Sequence, residues 1–328
     1  MNQVRRESLQ CVLLAAAFFS FLGASGTSPR AACAPAKNFA GTICAPNDGA
    51  RHAAILLLGG SEGGDSMARA AELFEAHGYV AASVAYFRVR GLPSTLENVP
   101  VETVGRAIDA LSVRNDVDPH RLAVFGFSKG GELALLAASV YPSIHAVVAD
   151  VPSPFAWQGI SSSNGTPTSS WSIAGKSLPF VPYAERIGAV LSPAVRNDEP
   201  IELRHLYDTS MKDRAAVDRA FFHLERIRGP ILLLAGDDDQ LWDSPKQCRL
   251  ALSYLKEHNH RYRDVFVHYP NAGDLFLFAT PQQPLIEASL GDDLEIAFGG
   301  TVEGNVAAAH SAWRKIYAFL ATALHGYQ

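Results

Sequence analysis

RLAVFGFSKGGELALLAASV, residues 121–140, changes character once, at a serine. The apolar run RLAVFGF (121–127) reads as a buried strand, and KGGELALLAASV (129–140) reads as a helix. Between them Gly126-Phe127-Ser128-Lys129-Gly130 fits G-x-S-x-G, the pattern that sets a serine on a sharp strand-to-helix turn with its hydroxyl at the helix N-terminus. The turn needs small neighbours because its backbone is strained, and Gly131 adds room behind it. A glycine-rich turn carrying an inert serine is the competing reading; the strand before and the helix after favour a nucleophile.

Outward from this point, short apolar runs alternate with longer amphipathic ones. HAAILLLGG (52–60), YVAASVAYF (79–87), IHAVVADV (144–151), PILLLAGD (230–237) and RDVFVHYP (263–270) read as further strands. DSMARAAELFEAHG (65–78), VPVETVGRAIDALSVRN (99–115), DRAAVDRAFFHLERI (213–227), SPKQCRLALSYLKEH (244–258) and NVAAAHSAWRKIYAFLATAL (305–324) have helical period. Strand and helix in alternation predict a mostly parallel sheet with helices on both faces. Residues 152–200 break the pattern: they are rich in Ser, Pro and Gly, contain Trp157 and Trp171, and keep no period. A long insertion between two strands predicts a lid or pocket wall over residues 152–228, with a mobile surface loop as the plainer alternative.

The bulk properties narrow the function classes. The chain has 328 residues, 48% of them hydrophobic and 19% charged, enough for one large domain with a sizeable core. A net charge of −5 supplies no basic surface, so nucleic-acid binding is not expected and a small-molecule partner is. No Cys/His spacing resembles a zinc site, and neither a metal nor an organic cofactor is implied.

The N-terminus carries Arg5 and Arg6, an apolar run from Cys11 to Gly23, and then small residues. This is the signal-peptide pattern, and the run is shorter than the roughly 20 residues of a membrane-spanning helix. It predicts export to a periplasmic or secreted location with no stable membrane insertion after cleavage; an uncleaved anchor is the alternative. Cys33 and Cys44 can bridge in an oxidising compartment, whereas Cys248 has no evident partner.

A serine attacking a carbonyl also needs donors for the oxyanion that develops, a base, and an acid to orient the base. The backbone N–H of Lys129, directly after the serine, is one candidate donor. The loop Gly59-Gly60-Ser61-Glu62-Gly63-Gly64 offers the second, from Gly60 or Ser61; it lacks the lysine and Ser/Thr of a phosphate-binding loop. For the acid, Asp237, Asp238 and Asp239 follow an apolar strand, which predicts that one of them points inward. Asp243, before Ser244-Pro245, reads as a helix cap.

GFSKGGELAL (126–135), LLLAGDDDQLWDS (232–244), YPNAG (269–273) and GGTVEGNVAAAHSAWRKIYAFL (299–320) together resemble the C-terminal catalytic domain of the acyl-CoA thioesterase and bile acid-CoA:amino acid N-acyltransferase family, over roughly residues 50–325. The resemblance implies an α/β-hydrolase fold related to dienelactone hydrolases. It implies Ser128 as nucleophile and Asp239, the second aspartate of DD-x-x-W, as the acid. It also implies a catalytic histidine directly after the glycine of YP-x-x-G, and that position is Asp274. The chain then divides into a signal and cleavage region (1–32), an N-terminal extension (33–50) and the hydrolase domain (51–328).

Asp274 is the departure that matters. Histidine shuttles a proton because its pKa lies near neutrality, whereas an aspartate near about 4 is a weak base. Facing Asp239 as a like charge would raise one of the two. His268, six residues before Asp274, and His310 are the candidate replacements, with His205 and His223 behind them. The expected function is hydrolysis of acyl thioesters or carboxylic esters, with activity possible only through an altered base. Acyl transfer to an amine and a non-catalytic acyl-binding role are the alternatives.

Overall fold

The computed structural model describes residues 32–161, 165–185, 200–291 and 294–325. Apart from residue 32, the signal-peptide region lies outside the described residues. The chain begins with β1 (Ala32–Pro35), β2 (Gly41–Ala45), β3 (His52–Leu58), α1 (Ala68–Glu75), β4 (Val80–Val84), β5 (Val99–Pro100) and α2 (Glu102–Ser112). It continues through β6 (Val117–Phe127), α3 (Lys129–Val140), β7 (Ala146–Asp150), β8 (Trp171–Ile173), β9 (Lys176–Ser177), α4 (Arg204–Ser210) and α5 (Arg214–Ala220). It closes with β10 (Ile231–Gly236), α6 (Ser244–Glu257), β11 (Val265–Tyr269), β12 (Glu287–Gly291), β13 (Leu294–Ala297) and α7 (Val302–His325).

Eight strands make one sheet in the order β1-β2-β4-β3-β6-β7-β10-β11. From β4 to β11 every neighbour is parallel; β2 runs antiparallel to β4, and β1 antiparallel to β2. The parallel strands β3, β4, β7 and β10 are buried on both faces, which is why they read as unbroken apolar runs, whereas the edge strand β11 is half-buried with His268 exposed. Successive residues still point to opposite sides: Ile55, Leu57, Phe125 and Val148 pack with α1 and α7, whereas Leu56, Leu58, Val124 and Val147 pack with α2, α3 and α6. In α7, Ala312, Ile316, Leu320 and Ala323 recur at helical spacing and are buried against the first of these faces. No helix among the described residues is long and apolar enough to cross a membrane.

Residues 33–50, set apart in the sequence as an extension, carry the first two strands of this sheet: β1 is an edge strand, β2 lies between β1 and β4, and Gly41–Cys44 pair with Ala81–Val84. A disulfide joins Cys33 to Cys44, which face each other in the β1–β2 register. The helix expected over 213–227 ends at Ala220, because Phe221 turns to an extended conformation (ψ 135°) and only one short 3-10 turn follows.

The described residues between β7 and β10 depart from the parallel pattern. β8 pairs with β5 and with β9 in a small separate sheet, and Trp157 and Trp171 are fully buried. Trp157 packs with Tyr183 and Tyr207, and Tyr207 with Trp242, so this segment is seated on the domain through aromatic rings.

Candidate active site

The loops after β3, β6, β7, β10 and β11 all leave the carboxyl edge of the sheet, where ligands bind in open α/β sheets. Ser128 is the single residue between β6 and α3. Its φ of 53° and ψ of −118° are a conformation that a residue with a Cβ adopts only under constraint, at about 1–3 kcal/mol. The constraint is visible in the neighbours. A Cβ at Gly126 would lie 2.0 Å from the Gly130 carbonyl oxygen, and one at Gly130 would lie 2.2 Å from the Leu58 and Gly59 oxygens. The Ser128 N–H donates to the Asp150 carbonyl at 2.9 Å, fixing the turn to the end of β7. The serine is 5% exposed.

The helix behind the turn carries a closed ion pair. Lys129 Nζ donates to Glu132 Oε2 at 2.6 Å, and both side chains are buried. Glu132 Oε1 accepts from Trp171 Nε1 at 2.6 Å and from the Trp157 N–H at 3.1 Å. The pair therefore pins the inserted segment to α3. The Lys129 side chain is committed to that role, while its backbone N–H meets no protein acceptor among the described residues.

The glycine loop after β3 is held by Tyr86, whose hydroxyl donates to the Gly59 and Gly60 carbonyls at 2.6 and 2.9 Å. The Gly60 N–H donates to Glu62 Oε1 at 2.8 Å, so it is occupied in this state. The Ser61 N–H has no protein acceptor among the described residues, which leaves Ser61 and Lys129 as the open donors of the three candidates.

Of the three aspartates after β10, Asp239 is the one that turns inward: it is fully buried, whereas Asp237 is exposed and Asp238 partly so. Its carboxylate accepts from Leu241 N–H (2.8 Å), Trp242 N–H (3.1 Å), Ser244 N–H (3.2 Å) and Ser244 Oγ (2.5 Å). Burial pushes its pKa up, and these donors pull it back. Asp243 caps α6, accepting from Lys246 N–H, in agreement with the sequence reading.

Asp274 is 1% exposed, and neither carboxyl oxygen has a hydrogen-bond partner. Its N–H donates to the Phe298 carbonyl at 2.8 Å. Burial, and then the charges of Asp239, Asp150 and Glu62, push its carboxyl well above the usual carboxylate range. It is shut off from solvent, and no hydrogen bond links its carboxyl to Ser128 or Asp239. The candidate histidines do not replace it: His205, His223, His268 and His310 are all exposed, and His268 pairs with Asp237.

Two residues that the sequence reading passed over belong here. Glu62 lies inside the quoted glycine loop and is buried, its pKa raised by burial. Asp150 ends the run IHAVVADV and is fully buried with both carboxyl oxygens unpartnered. A charged residue closing an apolar strand was the available signal, the same one that pointed to Asp239. A separate groove of about 910 Å³, lined in part by Arg219, Phe221, Arg226 and Arg228, touches none of these residues.

The family described as BAAT / acyl-CoA thioester hydrolase C terminal matches residues 99–326. Human acyl-coenzyme A thioesterase 6 is 25% identical over 289 residues, covering 86% of this chain and 62% of that protein. Mouse acyl-coenzyme A amino acid N-acyltransferase 1 is 26% identical over 254 residues, covering 76% of this chain and 55% of that one. The chain thus spans less than two thirds of the length of these relatives. Among solved structures, a dienelactone hydrolase-like protein from Klebsiella pneumoniae aligns with a TM-score of 0.50 at 16% identity, over 85% of this chain and 91% of that one, a likeness of fold. By the match over residues 99–326, the chain belongs to the BAAT / acyl-CoA thioester hydrolase C-terminal family.

Proposed function

We propose that this protein is an acyl hydrolase, acting on acyl thioesters or carboxylic esters through Ser128, with Asp274 in the place of the usual base. The observation that carries the reading is the constrained Ser128 turn, held at the head of α3 and fixed to the end of β7, at the sheet edge from whose loops the buried carboxyl groups of Asp239 and Asp274 come. A strained nucleophile turn costs stability and is retained where a hydroxyl held at a helix N-terminus has a use.

The chemistry follows from the charge distribution. Asp239, with four donors, holds the negative charge; Asp274, with none, holds a proton. Once a substrate draws the groups together, Asp274 accepts the Ser128 proton on one oxygen and passes its own proton from the other to Asp239. The serine oxygen adds to the acyl carbon, and the charge leaves Asp239 for the carbonyl oxygen, which the Ser61 and Lys129 N–H groups receive. Collapse breaks the bond to the alcohol or thiol, which takes a proton from Asp274 as Asp239 returns its own to Asp274; with the starting charges restored, water repeats the cycle on the acyl-serine and releases the acid and Ser128. A carboxyl relay is a poorer shuttle than histidine, so turnover is slow.

The names of the relatives favour thioester substrates, and the family's acyltransferases make transfer to an amine the second reading. The described residues around Trp157 and Trp171 serve as the wall over the serine in this account, tied down through Glu132. Export is proposed from Arg5, Arg6 and the apolar run of Cys11–Gly23, and fractionation of cells expressing the full chain tests it. Labelling with a fluorophosphonate tests the main claim: Ser128 is expected to be modified in the native protein, and an unlabelled Ser128 alongside intact folding would overturn it.

A further inference from the structure

The groove of about 910 Å³ has the volume of a small-molecule site and no part in the reaction above. It is framed by the end of α3, the β8–β9 hairpin, the segment between α5 and β10, and the loop between α6 and β11. Arg228 and Arg261 stand just before β10 and β11, which puts the groove at the amino edge of the sheet, away from Ser128. Val140, the last of the 12 residues of α3, lies about 18 Å along the helix from that serine.

The lining divides by chemistry. Leu136, Val140, Ile173, Leu178 and Phe221 supply apolar surface, and Val140 is one of three large apolar side chains standing exposed among the described residues. Arg219, Arg226, Arg228 and Arg261 face a single lining carboxylate, Glu225, in a chain whose net charge is −5. Glu225 is already engaged: Oε2 accepts from the Tyr254 hydroxyl at 2.8 Å, and Oε1 lies 3.2 Å from His223 Nδ1 and 3.7 Å from Arg226 Nε. The side chains of Arg219 and Arg228 are exposed and form no ion pair or hydrogen bond among the described residues.

The groove is also braced. His260 Nδ1 lies 2.7 Å from Asp264 Oδ2 and its Nε2 2.9 Å from the Ile227 carbonyl, while Asp264 Oδ1 accepts from the Ile231 N–H at 3.1 Å. The loop bearing Arg261 is thereby tied to the segment bearing Arg226 and Arg228. Phe221 stacks on Tyr254 with ring centroids 4.6 Å apart. A lining held in this way loses little freedom when a ligand enters.

We propose that this groove binds a long-chain carboxylate, its chain along the apolar lining and its head toward Arg219 and Arg228. Guanidinium groups match a carboxylate bidentately, and the chain gains by leaving water. Both halves of the ligand are needed: an alcohol leaves the arginines without an anion, and a short acid leaves Val140 and Leu178 to water. A long-chain carboxylate is also the class of acid that hydrolysis at Ser128 would release. The choice of head group rests on that reading, whereas the binding does not require turnover.

The test is titration calorimetry of the full chain with dodecanoate below its micelle concentration, beside dodecanol and acetate. Dodecanoate should bind about tenfold or more tighter than either. Arg219→Glu combined with Arg228→Glu should weaken it about tenfold or more, and Leu178→Asp should weaken it too. Arg69→Glu, the same charge reversal at an exposed α1 position outside the groove, should leave it within about twofold. Dodecanoate binding that ignores the arginine pair would put the ligand elsewhere and overturn the proposal, as would acetate binding as tightly. Capture by phosphatidylcholine vesicles containing phosphatidylglycerol, with no binding of free dodecanoate, would overturn it in favour of a membrane surface. Fluorophosphonate labelling of Ser128 judges the hydrolase reading separately, and it should be unchanged in the double arginine variant.

Discussion

Lys129 Nζ and Glu132 Oε2 lie 2.6 Å apart, one turn along the same helix, and solvent reaches neither side chain. Burial alone pushes both groups toward their neutral forms, and the pairing opposes it. Removing one partner strands the other. Glu132→Ala is therefore expected to cost about 3–5 kcal/mol in urea unfolding. The paired replacement Lys129→Met with Glu132→Leu should cost less, about 1–3 kcal/mol, because the N–H groups of Trp157 and Trp171 lose their acceptor but no charge is left alone. Equal losses in the two variants would contradict this.

Gly130 is where the elbow meets the first loop. A methyl group there would stand 2.2 Å from both the Leu58 and the Gly59 carbonyl oxygens, which are backbone and cannot swing aside. Gly130→Ala should lower stability by several kcal/mol, on the order of 3 or more, and abolish labelling of Ser128 in whatever folds. Gly49→Ala is the comparison, since a Cβ there meets nothing within 4 Å, although its φ of +76° still disfavours alanine.

Asp274 has a stability signature as well as a catalytic one. Its folded pKa is raised well above the usual carboxylate value, so between about pH 4 and that raised value the folded state binds more protons than the unfolded state. Its contribution to stability is fully present below about pH 4 and is lost as pH rises, at up to about 1.4 kcal/mol per pH unit. Asp150 has the same sign. Asp274→Asn should therefore be more stabilising, or less destabilising, at pH about 8 than at pH about 4, measured as the pH dependence of the unfolding free energy. An identical slope in wild type and variant would show that Asp274 is not buried as a neutral acid.

The sheet was legible because parallel strands buried on both faces leave unbroken apolar runs, and HAAILLL and ILLLAG could hardly be anything else. The elbow was legible because its glycines are forced by backbone contacts. ACAP and GTICA were not, since strands this short carry no period, ACAP pairs only with GTICA, and the pairing of GTICA with β4 is long-range. The end of α5 at Ala220 was hidden because Phe221, Phe222 and Leu224 keep an apolar rhythm after the backbone has turned extended. At the site, the sequence picked out Ser128, Asp239 and Asp274 by pattern. It did not show that Gly60 N–H is taken by Glu62, that Asp150 joins the cluster, or that no histidine among the four candidates comes inside, because each depends on which way a side chain turns.

The most direct measurement compares hydrolysis of activated acyl esters and acyl thioesters by wild type, Asp274→His and Ser128→Ala. The wild type should turn over slowly, Ser128→Ala should lose that activity, and Asp274→His should gain about 10²-fold or more, since a proper base typically contributes 10²–10⁴. A gain that persists when Ser128→Ala is combined with Asp274→His, or no gain together with a wild-type rate indifferent to Ser128, would contradict the assignment of Ser128 and Asp274 to one reacting site.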